Sequence, residues 1–198
     1  MSVPVSADPL AAVLAGGRST RLGRPKATAP LGGRALIDHP LAALADSALE
    51  TVVVAKRDTE LPELEVPLWS EPDEPAHPLL GIVTALERAA RPLLVCGCDL
   101  PFVTPPLATH IAVSAHPLVV PSAGGRLHPL FARYDPSLLE PLRAALEHRS
   151  PLQEVIAALG PRLLDEQELR SFGDPARLLF NVNTPADLEL AERMLGES

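Results

Sequence analysis

Short apolar runs alternate with stretches of helical period along nearly the whole chain, and this restricts the fold more than any other feature. "LAAVLA" (10–15) ends in Gly16-Gly17, as a buried strand does before a loop. Residues 35–49 space Leu36, Ile37, Leu41, Leu44 and Leu49 at roughly helical period, with Pro40 tolerated near the start. "TVVVA" (51–55), a helix over 79–90 and "PLLVCGC" (92–98) continue the alternation. A helix over 106–115, the strand "PLVVPS" and a turn at Gly124-Gly125 that leads into another strand follow. Two helices entered through Ser and Pro signals come next, "PSLLEPLRAALEHR" and "SPLQEVIAALG". The closing helix takes Thr184 as N-cap and Pro185 as its first residue. This pattern predicts an α/β domain over 9–198 with a mostly parallel sheet, preceded by a disordered segment 1–8. Parallel sheets bind ligands at the carboxyl ends of their strands, so the loops after residues 15, 55 and 98 are where chemistry is expected.

Charge narrows the ligand. Between Pro9 and Ile37 there is no carboxylate, yet Arg18, Arg21, Arg24, Lys26 and Arg34 are all present in a chain of net charge -8. A nucleic-acid binder spreads its basic surface more widely, so one focused site for a small polyanion is expected instead. No apolar run approaches a bilayer span, and no basic start with an apolar stretch marks a signal peptide, so a cytoplasmic protein away from membranes is expected. Cys96 and Cys98 are too close to bridge easily and too few for a structural zinc site; they are expected to be small buried residues at a strand end.

The loop "LAGGRSTRLGRPKATAP" fits neither familiar phosphate motif. Arg24-Pro25 separate Gly23 from Lys26, which excludes the ATPase phosphate loop. Pro25 and Pro30 forbid the immediate helix that a dinucleotide fingerprint needs, which disfavours a nicotinamide dehydrogenase. The pattern that remains is L-A-G-G-x-x-x-R-[LM]-G-x-x-K. Gly16 and Gly17 let bare amides approach phosphate oxygens, Arg21 can fork onto phosphate, and Lys26 brings a compact charge.

This loop resembles the signature of nucleotidyltransferases with a nucleoside-diphospho-sugar-transferase-like fold, and most of all the molybdenum cofactor guanylyltransferases (the MobA-like group). "HPLLGIVTAL", "CGCDLPFVTPPL", "GGRLHPLFARY" and "FNVNTPADL" resemble further segments of that family, in order, over nearly the whole chain. The resemblance implies a three-layer, Rossmann-like sheet flanked by helices. It also implies transfer of GMP from GTP to the terminal phosphate of molybdenum-bound molybdopterin, with release of pyrophosphate and handover of the product to a molybdoenzyme or its chaperone.

By the same resemblance, Leu14, Ala15, Gly16, Gly17, Arg21, Gly23 and Lys26 bind the nucleotide, and Arg21, Lys26 and Asp99 carry catalysis. Asp99, after its strand, is expected to hold Mg²⁺. His128, Asn181 and Asn183 are expected on the acceptor side, the two asparagines facing the same way in extended chain. Guanine offers N1–H and N2–H to a carboxylate, and Glu71 in the loop "PLWSEPDEP" is the candidate, with Asp73 as the second choice. Two departures from the family, Ala55 where Asn is frequent and His77 where Gly is usual, leave CTP open as the nucleotide. The motifs would also suit a related enzyme with another phosphorylated acceptor, or a non-catalytic molybdopterin carrier.

Overall fold

The computed structural model describes residues 8–16 and 22–196. The expected disordered segment 1–8 therefore falls, except for Asp8, outside the described residues.

In chain order the elements are β1 (Leu10–Leu14), β2 (Pro30–Leu31), β3 (Arg34–Ala35), α1 (Asp38–Asp46), β4 (Glu50–Lys56), β5 (Leu68–Glu71), α2 (Pro78–Ala89), β6 (Leu93–Gly97) and α3 (Pro105–Ala112). They continue with β7 (Leu118–Ala123), β8 (Arg126–Leu127), β9 (Phe131–Tyr134), α4 (Leu139–Glu147), α5 (Leu152–Ala158), β10 (Arg162–Leu164), α6 (Glu166–Leu169), α7 (Pro175–Leu178) and α8 (Pro185–Gly196). The main sheet has the order β10-β7-β9-β6-β1-β4-β5, with β8 paired to β7. Strands β6, β1, β4 and β5 are mutually parallel, whereas β9 runs antiparallel to both β6 and β7. The sheet is thus mostly parallel with helices on both faces, as the alternation predicts.

Both faces of the central strands are buried because alternate side chains enter different cores. Ala11, Val13, Val53, Leu94 and Cys96 pack with Leu44 of α1 and with Leu107 and Ile111 of α3. Leu10, Ala12, Val52, Val54 and Val95 pack with Leu79, Ile82 and Leu86 of α2, Leu142 of α4 and Ile156 of α5. Helix α2 shows why its segment is helical. His77 caps it through Nδ1, Pro78 stands in the first turn, and Leu79, Ile82, Val83 and Leu86 form one buried stripe. His77, a departure from the family pattern, is therefore a helix cap.

A third, smaller core positions the site. Leu22, Ala29, Leu31 and Leu36 from the N-terminal loop pack with Phe102, Val182 and Ala191. This cluster brings the loop, the turn after β6 and the entry to α8 together.

Three expectations need correction. The helix expected over 35–49 begins at Asp38 and ends at Asp46. Gly32 and Gly33, at φ 57° and 77°, fold Pro30–Leu31 back on Arg34–Ala35 as a hairpin, which takes up Ala35 and leaves Leu36 and Ile37 in the turn before the helix. Glu71 is not in a loop: it ends β5, paired with Lys56 in register. Strand β10 and the short helices α6 and α7 lie where no element was expected, because segments of three or four residues carry no readable period.

Candidate functional site

Lys26, Asp99 and Asn183 meet at the carboxyl edge of the sheet. Lys26 Nζ donates to Asp99 Oδ2 at 2.9 Å and to Asn183 Oδ1 at 2.8 Å. The side chains of Lys26 and Asp99 are only 18% and 13% exposed, so solvent screens this pair less than a surface ion pair. Asp99 lies in the turn that leaves β6. A Cβ on Gly97 would stand 2.4 Å from Asp99 Oδ1, so the missing side chain is what lets the carboxylate fold back over the strand end. Burial, reinforced by the nearby Asp99 charge, pushes the Cys98 thiol up to about 12, and Cys96 is raised for the same reasons. Both cysteines are free and buried, as expected, and neither is a nucleophile at neutral pH.

The Asn183 segment is fixed from two sides. Val182 N donates to the Asp99 carbonyl at 2.9 Å. Asp187 Oδ2 accepts from the backbone of Asn183 at 3.0 Å and of Thr184 at 2.8 Å, while Thr184 Oγ1 accepts from Asp187 N. This reciprocal cap starts α8 with Thr184 as N-cap. Burial alone would raise the Asp187 carboxyl, but the Asn183 amide, the Thr184 hydroxyl and amide and the Lys26 charge together hold it below its ordinary value.

Glu71 occupies a crevice between β1 and α2. A Cβ on Gly16 would lie 1.8 Å from Glu71 Oε1, and one on Gly81 would lie 2.9 Å from Oε2. Two glycines therefore make room for this carboxylate, with the Leu14 side chain beside it. Burial raises its pKa, and the Lys56 charge opposes the shift. Asp73 is exposed, and its backbone carbonyl takes the Lys56 ammonium. The structure thus brings Glu71, rather than Asp73, against Gly16. Ala55 is buried in the core and offers no polar group.

On the other side of Asp99 opens a cleft of about 840 Å³, lined by His128, Asn181, Asn183, Asp187 and Phe180 among others. Asn181 and Asn183 both face it while Val182 is buried, although the segment is not a strand. Asn181 Nδ2 donates to the Leu179 carbonyl at 2.9 Å. His128 is held by its backbone, donating to Pro121 and accepting from Phe131. Burial, and then the charge of Arg126, lower its pKa, so the imidazole is neutral at pH 7.

Leu14 and Ala15 continue the strand edge: Leu14 O accepts from Cys98 N, and Ala15 N donates to Val54 O. Gly23 takes a positive φ of 71° in the exposed part of the loop. Gly17 and Arg21 lie outside the described residues. Sequence reasoning missed Gly97, Gly81 and Asp187, and it missed the cleft residues Arg126, Gln153 and Arg170. Asp187 had a readable signal in its place three residues after Thr184 in a capping pattern, and Gly81 and Gly97 stood in resembling segments without a role.

No helix among the described residues is long and apolar enough to cross a membrane. The profile of the family described as "MobA-like NTP transferase domain" matches residues 11–164. A protein of Pelotomaculum thermopropionicum named "Probable molybdenum cofactor guanylyltransferase" is 33% identical, over 94% of this chain and 93% of its own. The "Molybdenum cofactor guanylyltransferase" of Rhizobium johnstonii is also 33% identical, over 92% and 91%. Among solved structures, the molybdopterin-guanine dinucleotide biosynthesis protein A of Archaeoglobus fulgidus superposes with a TM-score of 0.79. It is 26% identical, over 95% of this chain and 99% of the other.

Proposed function

The chain belongs to the MobA-like NTP transferase family, and on that premise we propose that it transfers GMP from GTP to the terminal phosphate of molybdenum-bound molybdopterin. The observation that carries the reading is the placement of the Lys26–Asp99–Asn183 contact between two receptive spaces. The Gly16–Glu71 crevice lies toward one side and the polar cleft toward the other. A two-substrate transfer needs that arrangement.

An oxygen of the acceptor's terminal phosphate attacks the α-phosphorus of GTP. The new P–O bond forms as the bond to the β-phosphate oxygen breaks, and pyrophosphate leaves with that electron pair. A phosphate monoester is already anionic near neutral pH, so no dedicated general base is needed. Alignment and charge neutralisation are the catalytic demands. Lys26 supplies a cation for the triphosphate, and the Gly16 backbone lets it approach closely. Glu71, ionised, accepts guanine N1–H and N2–H. Asn181, Asn183 and neutral His128 present uncharged polar groups to the pterin.

The donor set suits Mg²⁺: a carboxylate on Asp99, an amide oxygen on Asn183 and a second carboxylate nearby on Asp187 are all hard oxygens. Among the described residues no cluster of three or more His, Cys, Asp or Glu could hold an ion unaided, and phosphate oxygens and waters would complete the shell. Bound there with Asp99, Mg²⁺ would neutralise charge on the triphosphate. All of these steps fit a cytoplasmic enzyme.

Pyrophosphate release by purified protein, with molybdopterin as acceptor and GTP, CTP or ATP as donor, tests the reading. GTP is expected to support turnover well above the others. Turnover with CTP alone would sink the guanine assignment.

A further inference from the structure

Asp99 meets Lys26 through one carboxylate oxygen. Oδ1 rests over Gly97, 2.4 Å from where a Cβ would stand, and Oδ2 carries the Lys26 ammonium at 2.9 Å. The second acceptor of Lys26, Asn183 Oδ1 at 2.8 Å, belongs to a residue whose backbone is pinned by Asp187. Asp187 itself is engaged through Oδ2 with two backbone amides. Lys26 is therefore bound to two of the three oxygen groups that a divalent cation would use at this edge, and the third, Asp187, is turned to the backbone.

We propose that Lys26 is a resident counterion of the metal position, so that a divalent cation gains Asp99 only when a triphosphate draws the ammonium away. This rests on the nucleotidyl-transfer reading and adds an order to it. Protein alone holds metal poorly, and nucleotide and metal bind with positive coupling. Two physical points support it. An ammonium is a compact point charge on a flexible stem, able to move from carboxylate to phosphate without rebuilding the site. One carboxylate and one amide make a weak Mg²⁺ site that cannot also carry a competing cation. By linkage, whatever makes metal wait for nucleotide makes nucleotide bind better with metal.

Mn²⁺, which shares the oxygen preference of Mg²⁺, reports the competition by electron paramagnetic resonance. Without nucleotide, Lys26→Met is expected to bind Mn²⁺ about tenfold or more tightly than wild type, because an adjacent partly buried cation has been removed. Arg24→Gln removes an exposed cation of the same loop and is expected to leave Mn²⁺ affinity unchanged. An unchanged affinity in Lys26→Met, or an equal gain in Arg24→Gln, overturns the proposal.

Wild-type protein gives a readout that needs no variant. Lys26 and Lys56 are its only lysines, so a ¹⁵Nζ-lysine label resolves Lys26. Its resonance should stay in place with Mg²⁺ alone and move when α,β-methylene-GTP is added. Movement at submillimolar Mg²⁺ alone overturns the proposal. Pyrophosphate release with GTP is measured separately. A failed metal-order test with intact GTP turnover therefore refutes only this inference, and absent turnover refutes the reading beneath it.

Discussion

Glu71 Oε1 sits 1.8 Å from the point where a side chain on Gly16 would begin. The carboxylate is in the crevice because residue 16 has no Cβ. Glu71 is the flexible end of the contact, so Gly16→Ala should leave the fold intact and swing the carboxylate out. In its proposed role as the reader of guanine, Glu71 would contribute about 1.5–3 kcal/mol, so Glu71→Gln should raise the KM for GTP by roughly ten- to a hundredfold. Gly16→Ala should approach the same loss, and the double variant should be little worse than either single one. Steady-state kinetics on the four proteins check this, and additive losses would show that Gly16 acts through something other than Glu71.

The same burial sets a pH dependence. Glu71 is raised by desolvation, so it is protonated at pH values where an ordinary carboxylate is already ionised. Only the ionised form accepts both guanine protons. The KM for GTP should therefore fall as pH rises through the shifted value and then level off, while the Glu71→Gln profile stays flat. The stability sign is opposite. A carboxyl with a raised folded-state pKa loses stability on ionising, so Glu71→Gln should melt at or slightly above the wild-type temperature near neutral pH.

At the edge proposed for the metal, Asp99→Asn should lower kcat on the order of a hundredfold or more, since it removes the carboxylate proposed to anchor the ion. Gly97→Ala provides the geometric counterpart. It leaves every charge in place but puts a Cβ 2.4 Å from Asp99 Oδ1, forcing the carboxylate to move. A displacement of that size should lower kcat by roughly ten- to a hundredfold without unfolding the chain. Circular dichroism alongside kinetics separates displacement from misfolding.

The fold was legible because its central strands must bury both faces, and such strands read as unbroken apolar runs between helical periods. Lys26, Asp99 and Asn183 were legible as residue types set in motifs. Their contact was not, since it depends on the third core, where Leu31, Phe102 and Val182 come from distant segments. Glu71 was placed in a loop because "PLWSEPDEP" is rich in prolines and acids, while the β4 register that makes Leu68–Glu71 a strand is a tertiary fact. Gly81 and Gly97 stand inside the resembling segments "HPLLGIVTAL" and "CGCDLPFVTPPL", but nothing in those segments shows what each glycine makes room for. A glycine that makes room for a carboxylate looks the same in sequence as one that makes a turn.

His128 offers a spectroscopic check on the cleft. Burial is the larger cause of its lowered pKa and Arg126 the smaller, so Arg126→Ala should recover only part of the shift. Imidazole titration by nuclear magnetic resonance should show a midpoint above wild type and still below an exposed histidine. A histidine depressed on folding also makes the protein gain stability as pH rises from the folded value through the ordinary one.

Asp187 ties stability to the active edge. Its Oδ2 takes the amides of Asn183 and Thr184, and that pins the residue whose amide oxygen receives Lys26. Asp187→Ala should cost about 1–2 kcal/mol as a lost helix cap, a fall of roughly 2–4 °C in Tm per kcal/mol for a chain of this size. Because the Asp187 pKa is lowered on folding, its contribution is full above the ordinary aspartate value and lost as pH falls through the folded one. The Tm gap between wild type and Asp187→Ala should therefore close in acid. Asp187→Asn keeps an acceptor for the two amides and should recover most of the stability. If turnover recovers with it, Asp187 serves the reaction by holding Asn183 in place; if turnover stays low, its charge beside Lys26 is what the reaction requires.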